Sequence, residues 1–372
     1  MTSRGTVLVT GGTGALGREL VRRLTREGEA LHVVVLSRTA GDRVRAGGRS
    51  SRPTHDIRMV RGDLRSGPGL GLSPAVREEL LDEVTDILHC AAETRFTLPL
   101  EEARATNVCG TRSLLELAAE CRSLRAVGCF STVYVAGRRR GPFTEQDLGD
   151  DRTGFVNTYE QSKNEMEREV RRRMGELPLA VYRMSTLIGD SRTGAVTGYN
   201  AFHHALRLLY QGLAPMIPGD PAHRVDLVTV DYVADAACWL FRNRFEAGRT
   251  YHLCSGAERS PRLDALVDAI VEAFRRLQPA WRRRGIEPPA IVNLPTYELF
   301  ASSVEETGNE VLIGATRAVQ SFAYQLAFPK IFDTAATEAA LAGSGIAPPD
   351  VLDALPRVIR TCLETRWGRE AA

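Results

Sequence analysis

The sequence predicts an α/β protein built on a doubly wound parallel sheet, with a smaller, mostly helical C-terminal part. Three observations carry this. Through the first half of the chain, short β-branched or apolar runs alternate with longer amphipathic stretches, the pattern of βαβ units. A glycine-rich turn, Thr10-Gly11-Gly12-Thr13-Gly14-Ala15-Leu16-Gly17, joins the first apolar run directly to a helical stretch. After Ile188 the texture changes to turns and helices, beginning with Gly189-Asp190-Ser191-Arg192-Thr193-Gly194.

Strands are expected near Thr6 to Thr10, His32 to Leu36, Ile57 to Val60, Asp86 to Cys90, Ala126 to Phe130 and Leu179 to Arg183. Helices are expected over Ala15 to Glu27, Glu101 to Glu120 and Tyr159 to Met174. Past the turn at Gly189, a helix around Ala201 to Tyr210 leads into a Pro/Gly loop through Ala214 to Pro221. Val225 to Val230 and Thr250 to Cys254 read as strands returning to the sheet, flanking a helix from Asp231. From about Arg259 the chain reads as helical with loops at Glu287-Pro288-Pro289 and Ala347-Pro348-Pro349. The expected layout is a nucleotide-binding domain over residues 1–190 plus 225–256, and a substrate-binding domain over 191–224 plus 257–372. Ligands of a doubly wound sheet bind beyond the carboxyl ends of its strands.

Composition narrows the class. At 372 residues, 43% hydrophobic and 25% charged, the chain can bury a sizeable core. A formal charge of only +2 provides no global field for nucleic acid. No run approaches the roughly 18 to 20 apolar residues of a membrane span, and the start leaves no room for a signal peptide, which reads as cytoplasmic. The seven cysteines are odd in number and lack a C-x-x-C pair, so they suggest neither zinc nor a disulfide framework and read as small buried side chains. The paired His203 and His204 have no third ligand nearby in sequence, so no metal is expected. Only two of the 48 basic residues are lysines, Lys163 and Lys330, which discounts arginine clusters and gives each lysine weight.

Four local patterns carry chemistry. Glycines at 11, 14 and 17 let the backbone turn tightly and approach a pyrophosphate, whose charge meets the N–H groups opening the next helix. The second strand ends in Val35-Leu36-Ser37-Arg38, with no acidic residue for a ribose 2′-hydroxyl; Arg38 offers a fork for a 2′-phosphate, pointing to NADP(H). Tyr159 and Lys163 lie four residues apart on one helix face, a pairing expected by chance only about 0.05 times in this chain. The lysine charge is expected to lower the phenol's pKa and poise Tyr159 as a general acid or base. Ser131 and Thr132 end the fifth strand, where a hydroxyl can stabilise charge developing on a carbonyl oxygen; Thr132 is favoured.

These residues together resemble the extended short-chain dehydrogenase/reductases, through T-G-x-x-G-x-x-G at Thr10 to Gly17, G-D-L at Gly62 to Leu64, H-C-A-A at His89 to Ala92, T-N-V-x-G-T at Thr106 to Thr111, and Tyr159/Lys163. Within them the nearest resemblance is to the thioester reductase and fatty acyl reductase branch, with its male-sterility-type NAD-binding domain, through Phe96, Phe130-Ser131-Thr132, Arg183 and Ile188 to Gly194. The resemblance implies a Rossmann domain in which Gly11, Gly14 and Gly17 receive the pyrophosphate and Thr13 and Leu16 give backbone contacts. It further implies Arg38 at the 2′-phosphate, Asp63 and Leu64 at the adenine, Ala91 and Ala92 on the ribose side, and Lys163 at the nicotinamide ribose. Asn107 would tie the central strands together.

The expected activity is NADPH-dependent reduction of an acyl thioester, presented by a carrier protein or coenzyme A, to aldehyde and, with a second hydride, alcohol. Thr132 and Tyr159 would stabilise the oxyanion. With no carrier segment evident in these residues, the acyl donor would be met in trans. An acidic carrier calls for a basic patch, for which Arg138-Arg139-Arg140 is favoured over Arg171-Arg172-Arg173. Phe202 to Tyr210 could line an acyl channel or form core. The rival readings are an ordinary NADP-dependent carbonyl or alcohol oxidoreductase, an epimerase, and a non-catalytic NADP(H)-binding regulator.

Overall fold

A computed structural model describes residues 5–25, 32–39 and 57–369. In chain order the strands are β1 (Thr6–Thr10), β2 (His32–Ser37), β3 (Ile57–Arg61), β4 (Val84–His89), β5 (Ala126–Thr132), β6 (Gly141–Phe143), β7 (Leu179–Met184), β8 (Thr186–Leu187), β9 (Met216–Pro218), β10 (Leu227–Val228), β11 (Thr250–Leu253), β12 (Ala290–Val292) and β13 (Lys330–Phe332). Seven form one sheet in the order β11-β7-β5-β4-β1-β2-β3, every neighbouring pair parallel. The order reverses between β1 and β4, so the crevice of a doubly wound fold lies where β1, β4 and β5 end.

Buried strands need cover on both faces, and the two apolar clusters flanking the sheet supply it. On one face Leu16, Leu20 and Leu24 of α1 (Ala15–Leu24) pack with Val233, Ala237 and Leu240 of α7 (Val230–Asn243). The other face carries Leu80 of α2 (Pro74–Glu83), Leu114 of α4 (Gly110–Glu120), and Met166 and Val170 of α5 (Thr158–Arg173). The helix expected over Glu101 to Glu120 is α3 (Leu100–Arg104), a π-helical turn (Ala105–Cys109) and α4. The last residues of the expected first helix, up to Glu27, lie outside the described residues.

One expectation is corrected. Thr250–Leu253 returns to the sheet, but Val225 to Val230 does not: only Leu227–Val228 is strand, and it pairs with β8 in a separate two-stranded ladder. The apolar run is buried, yet β11 already occupies the edge beside β7.

A third cluster joins Phe202 and Leu206 of α6 (Ala201–Gln211) to the helices Leu263–Leu277, Glu310–Leu326 and Val351–Glu364. His203 caps its own helix through Asn200 and meets the Ile188 carbonyl, so this helix is core rather than channel. The chain then comes back: β13 pairs with β6, and Glu145 accepts the Ala336 and Thr337 N–H groups at 2.9 and 3.0 Å, fastening Ala335–Leu341 to the sheet. None of the seven cysteines, all among the described residues, is in a disulfide; four are buried as expected, while Cys109 is exposed. No helix among the described residues is long and apolar enough to cross a membrane.

Candidate active site

The β1 turn is shaped by two glycines. Gly11 has φ +70, and a Cβ there would meet the Ala91 nitrogen at 2.6 Å; a Cβ at Gly17 would stand 2.0 Å from the Gly11 oxygen. Gly14, at φ −76, is held by neither constraint: its Cβ would touch only the Gly11 oxygen, at 3.3 Å. Gly14 caps α1 without a side-chain hydrogen bond, and the first turn has no acidic residue, so no side chain of that turn neutralises the positive end of the helix. A turn that lets a ligand approach one glycine closely, backed by the positive end of a helix, fits a pyrophosphate. Thr13 is exposed, whereas the Leu16 side chain is buried, leaving its backbone to serve a ligand.

At the ends of β2 and β3 the register sets Ser37 against Arg61, so exposed Arg38 and exposed Arg61 occupy neighbouring strand ends. Arg61 had no signal in the sequence, because only register places it there. Asp63 accepts the Arg65 N–H at 2.9 Å, and Leu64 is buried beneath Gly110. Leu64 thus faces the core and has only backbone to offer.

At the end of β4, His89 bridges Thr10 and Thr111 at 2.7 and 2.8 Å. Thr111 donates to the Asn107 carbonyl at 2.7 Å, so its oxygen accepts from Nε2–H and Nδ1 accepts from Thr10. Burial, with help from the Lys163 charge, lowers His89 to about 3, making it a neutral structural link. Asn107 does not tie strands to one another. It exchanges hydrogen bonds with the Glu93 backbone and donates to Ser162 Oγ at 2.9 Å, joining the Ala91-Ala92 loop to α5. The π turn holding Asn107 gives that helix its extra residue at the site. Thr158 Oγ1 also fixes the loop, donating to Leu98 O at 2.8 Å, and Phe96 stacks on Tyr159 with centroids 5.4 Å apart.

The structure brings Thr132, Tyr159 and Lys163 together. Asn157 caps α5, placing Tyr159 in its first turn and Lys163 one turn on. The Thr132 hydroxyl lies near enough to the Tyr159 phenol to favour its ionised form, and it accepts the Tyr134 N–H at 3.2 Å. Lys163 donates to the Phe130 carbonyl at 2.8 Å, and burial lowers its ammonium to about 8. The expected lowering of the phenol is not found: burial holds Tyr159 above its ordinary range, with the Thr132 hydroxyl pulling the other way. Ser131 is engaged elsewhere, donating to Glu167 at 2.9 Å in a buried network completed by Arg183. Sequence reasoning missed Asn164, whose amide donates to the Val135 and Gly149 carbonyls at 2.9 Å each and braces the segment after Thr132.

A phosphate-accommodating turn and a Thr/Tyr/Lys cluster on one sheet define a nucleotide-dependent oxidoreductase of the short-chain dehydrogenase/reductase type. Residues 9–237 match the NAD-binding family described as male sterility protein, and the chain belongs to that family. It is 28% identical over 298 residues to the fatty acyl-CoA reductase wat of Drosophila melanogaster, covering 68% of this chain and 57% of that protein. With the L-2-aminoadipate reductase large subunit of Penicillium chrysogenum it shares 30% identity over 262 residues, covering 63% of this chain and 18% of that protein. The chain thus spans little more than half of one of these relatives and a small fraction of the other. The terminal R domain of the myxalamid PKS-NRPS pathway superposes with a TM-score of 0.79 at 25% identity, covering 99% of this chain and 93% of that one.

Proposed function

We propose that this chain is an NADPH-dependent reductase of acyl thioesters, releasing a thiol and an aldehyde, with the same residues able to take the aldehyde on to the alcohol. The observation that carries this is the meeting of the Thr132 hydroxyl, the Tyr159 phenol and buried Lys163 at the end of β5, on the same sheet as the Gly11–Gly17 turn. In this reading Gly11, Thr13, Gly14, Leu16 and Gly17 hold the pyrophosphate. Arg38, joined by Arg61, holds the 2′-phosphate. Asp63 and the Leu64 backbone border the adenine, Ala91 and Ala92 the ribose, and Lys163 the nicotinamide ribose. When bound, the reduced nicotinamide supplies hydride.

The chain's own part is to bind the carbonyl oxygen and manage its charge. Thr132 and Tyr159 donate hydrogen bonds to that oxygen, which strengthen as it becomes an oxyanion, and Tyr159 Oη gives up the proton. A phenol held above its ordinary range is protonated at neutral pH, as donation requires. Lys163, charged below about 8, stabilises the tyrosinate left behind.

We also propose the division into a nucleotide part, 1–190 plus 225–256, and a substrate part, 191–224 plus 257–372. The apolar cluster of the helical part supports it, although Ile188, Val225 and Leu227 join that cluster and Lys330–Leu341 packs back on the sheet part. For the donor, coenzyme A or an acidic carrier protein, the supporting feature is Arg138 and Arg140, whose exposed guanidinium groups lie 5.7 and 5.3 Å from the Phe328 ring. NADPH oxidation followed by absorbance, with acyl-coenzyme A and carrier-loaded thioesters beside matched aldehydes and ketones, tests the reading. Oxidation with release of free thiol is expected. Turnover of ketones alone, or unchanged turnover in Tyr159→Phe, would overturn it.

A further inference from the structure

A small cavity lies between the segment that follows Thr132 and the C-terminal part. It is bounded by Tyr134, two residues beyond Thr132, by His223 and Asp226 before β10, and by Gln325, Phe328 and Lys330 of the C-terminal part; its volume is about 40 Å³. That is room for a water or one small polar group, well short of the roughly 300 Å³ at which pockets for whole small molecules begin.

Most polar atoms around it are committed. Asp226 accepts from the Ser255 and Gly256 N–H groups at 3.1 and 2.8 Å and from Ser260 Oγ. Lys330 Nζ donates to Phe328 O at 3.0 Å, and Tyr134 Oη shares a hydrogen bond with Thr186 at 2.9 Å. Gln325 differs. Its Nε2 donates at 2.8 Å to one carboxyl oxygen of Glu160, the neighbour of Tyr159, whose other oxygen accepts the Val156 N–H. Its Oε1 is buried with no hydrogen-bond partner among the described residues, in a side chain only 6% exposed. His223 Nδ1 is also without one. A buried acceptor left unpaired is costly, and a site with one favours the ligand that fills it.

We propose that this cavity receives an amide N–H of the thioester substrate, accepted by Gln325 Oε1, so that substrates with an amide near the reacting carbonyl are favoured over plain alkyl chains. This rests on the thioester reading above. Two parts of such a substrate carry that chemistry: an aminoacyl or peptidyl acyl group, and the amide-bearing arm of the thiol. An alkyl chain would leave Oε1 dry and unpaired.

The test uses pairs differing by one group. N-acetylglycyl and 4-oxopentanoyl thioesters differ only in N–H against CH₂, and each is prepared on ethanethiol and on N-acetylcysteamine, which adds one amide to the arm. Wild-type protein is expected to favour the N-acetylglycyl member at least roughly tenfold in kcat/KM, the ratio worth about one hydrogen bond. In Gln325→Met that ratio falls to near one, whatever the absolute rate, because both substrates lose the Glu160 contact equally. If the acyl pair is not distinguished but N-acetylcysteamine esters are favoured over ethyl esters in a Gln325-dependent way, the arm supplies the N–H. Active protein with no preference in either series, or a preference that persists in Gln325→Met, overturns the proposal. N-acetylglycinal against 4-oxopentanal reads the same ratio without a thioester, so inert thioesters would refute the proposed function while the aldehyde pair still judges the cavity.

Discussion

The glycine turn separates two jobs that a sequence pattern merges, and two substitutions pull them apart. In Gly17→Ala the new methyl carbon would lie 2.0 Å from the Gly11 oxygen and 2.7 Å from its carbonyl carbon, so backbone must retreat by about 1 Å or more. Neither side moves freely. Gly11 O already accepts the Gly14 N–H at 2.9 Å, and α1 is anchored by buried Leu16, Leu20 and Leu24 and by Arg23, which bonds Asp235 at 2.6 Å. Overpacking of this kind costs about 1–3 kcal/mol, and at about 2–4 °C per kcal/mol the midpoint should fall by roughly 2–12 °C. In Gly14→Ala the methyl meets one atom at 3.3 Å and φ is −76, so the fold loses only a few tenths of a kcal/mol to about 1 from the poorer cap. That methyl, however, projects where a pyrophosphate must approach. NADPH affinity, followed by nucleotide fluorescence, should drop by roughly tenfold or more in a protein whose melting is nearly unchanged. Wild-type NADPH binding by Gly14→Ala, or wild-type melting of Gly17→Ala, would refute the assignment of spacing to one glycine and packing to the other.

Further outcomes follow from other parts of the site. Arg38→Gln should weaken NADPH by roughly tenfold to a hundredfold in Kd and leave NADH unchanged, since only a 2′-phosphate meets that fork; equal loss of both would remove its role. Lys163 is lowered to about 8 by burial, so kcat/KM for NADPH should fall as pH rises through about 8, and Lys163→Met should abolish that limb. The same depression means the charged lysine costs stability below about pH 8, a cost relieved as pH climbs toward the ordinary value of about 10.4, which pH-dependent melting checks. Glu167→Ala strips Arg183 of its buried partner and should cost about 3–5 kcal/mol in denaturant melts. Reversing Arg138 and Arg140 to Glu should lower kcat/KM for a carrier-bound thioester more than for the same acyl group on N-acetylcysteamine, with a reduced salt dependence.

How much of this was legible in the sequence follows from the distance between interacting residues. The turn at Thr10 to Gly17, the hydroxyl of Thr132 and the pair Tyr159/Lys163 are each set by a few consecutive residues on one element, so spacing alone reveals them. Pro74–Glu83 was legible and overlooked, for Ser73 followed by Pro74 is a helix start in plain form. Strand membership was not legible in the same way. Val225 to Val230 looks like any buried strand, and only competition for the edge beside β7 sends Leu227–Val228 to β8. Arg61 reaches Arg38 through register, which no local pattern encodes.

The pKa of Tyr159 shows the same limit in energetic form. Spacing places a lysine one turn away and so suggests a phenol lowered by a neighbouring charge. In the folded chain the ammonium donates one hydrogen bond to the Phe130 carbonyl and is itself lowered by burial, while burial of the phenol outweighs the pull of the Thr132 hydroxyl. Sequence can supply the charges but not the desolvation, because burial depends on what other elements cover. The covering here comes from far away: Phe96 stacks on the Tyr159 ring, and Gln325, 165 residues on, holds the adjacent Glu160. Proton donation in the reductive direction therefore depends on packing from one loop and, through Glu160, on a distant helix. Loosening Gln325 should lower the phenol's pKa as water enters, even though it touches neither Tyr159 nor Lys163 in sequence.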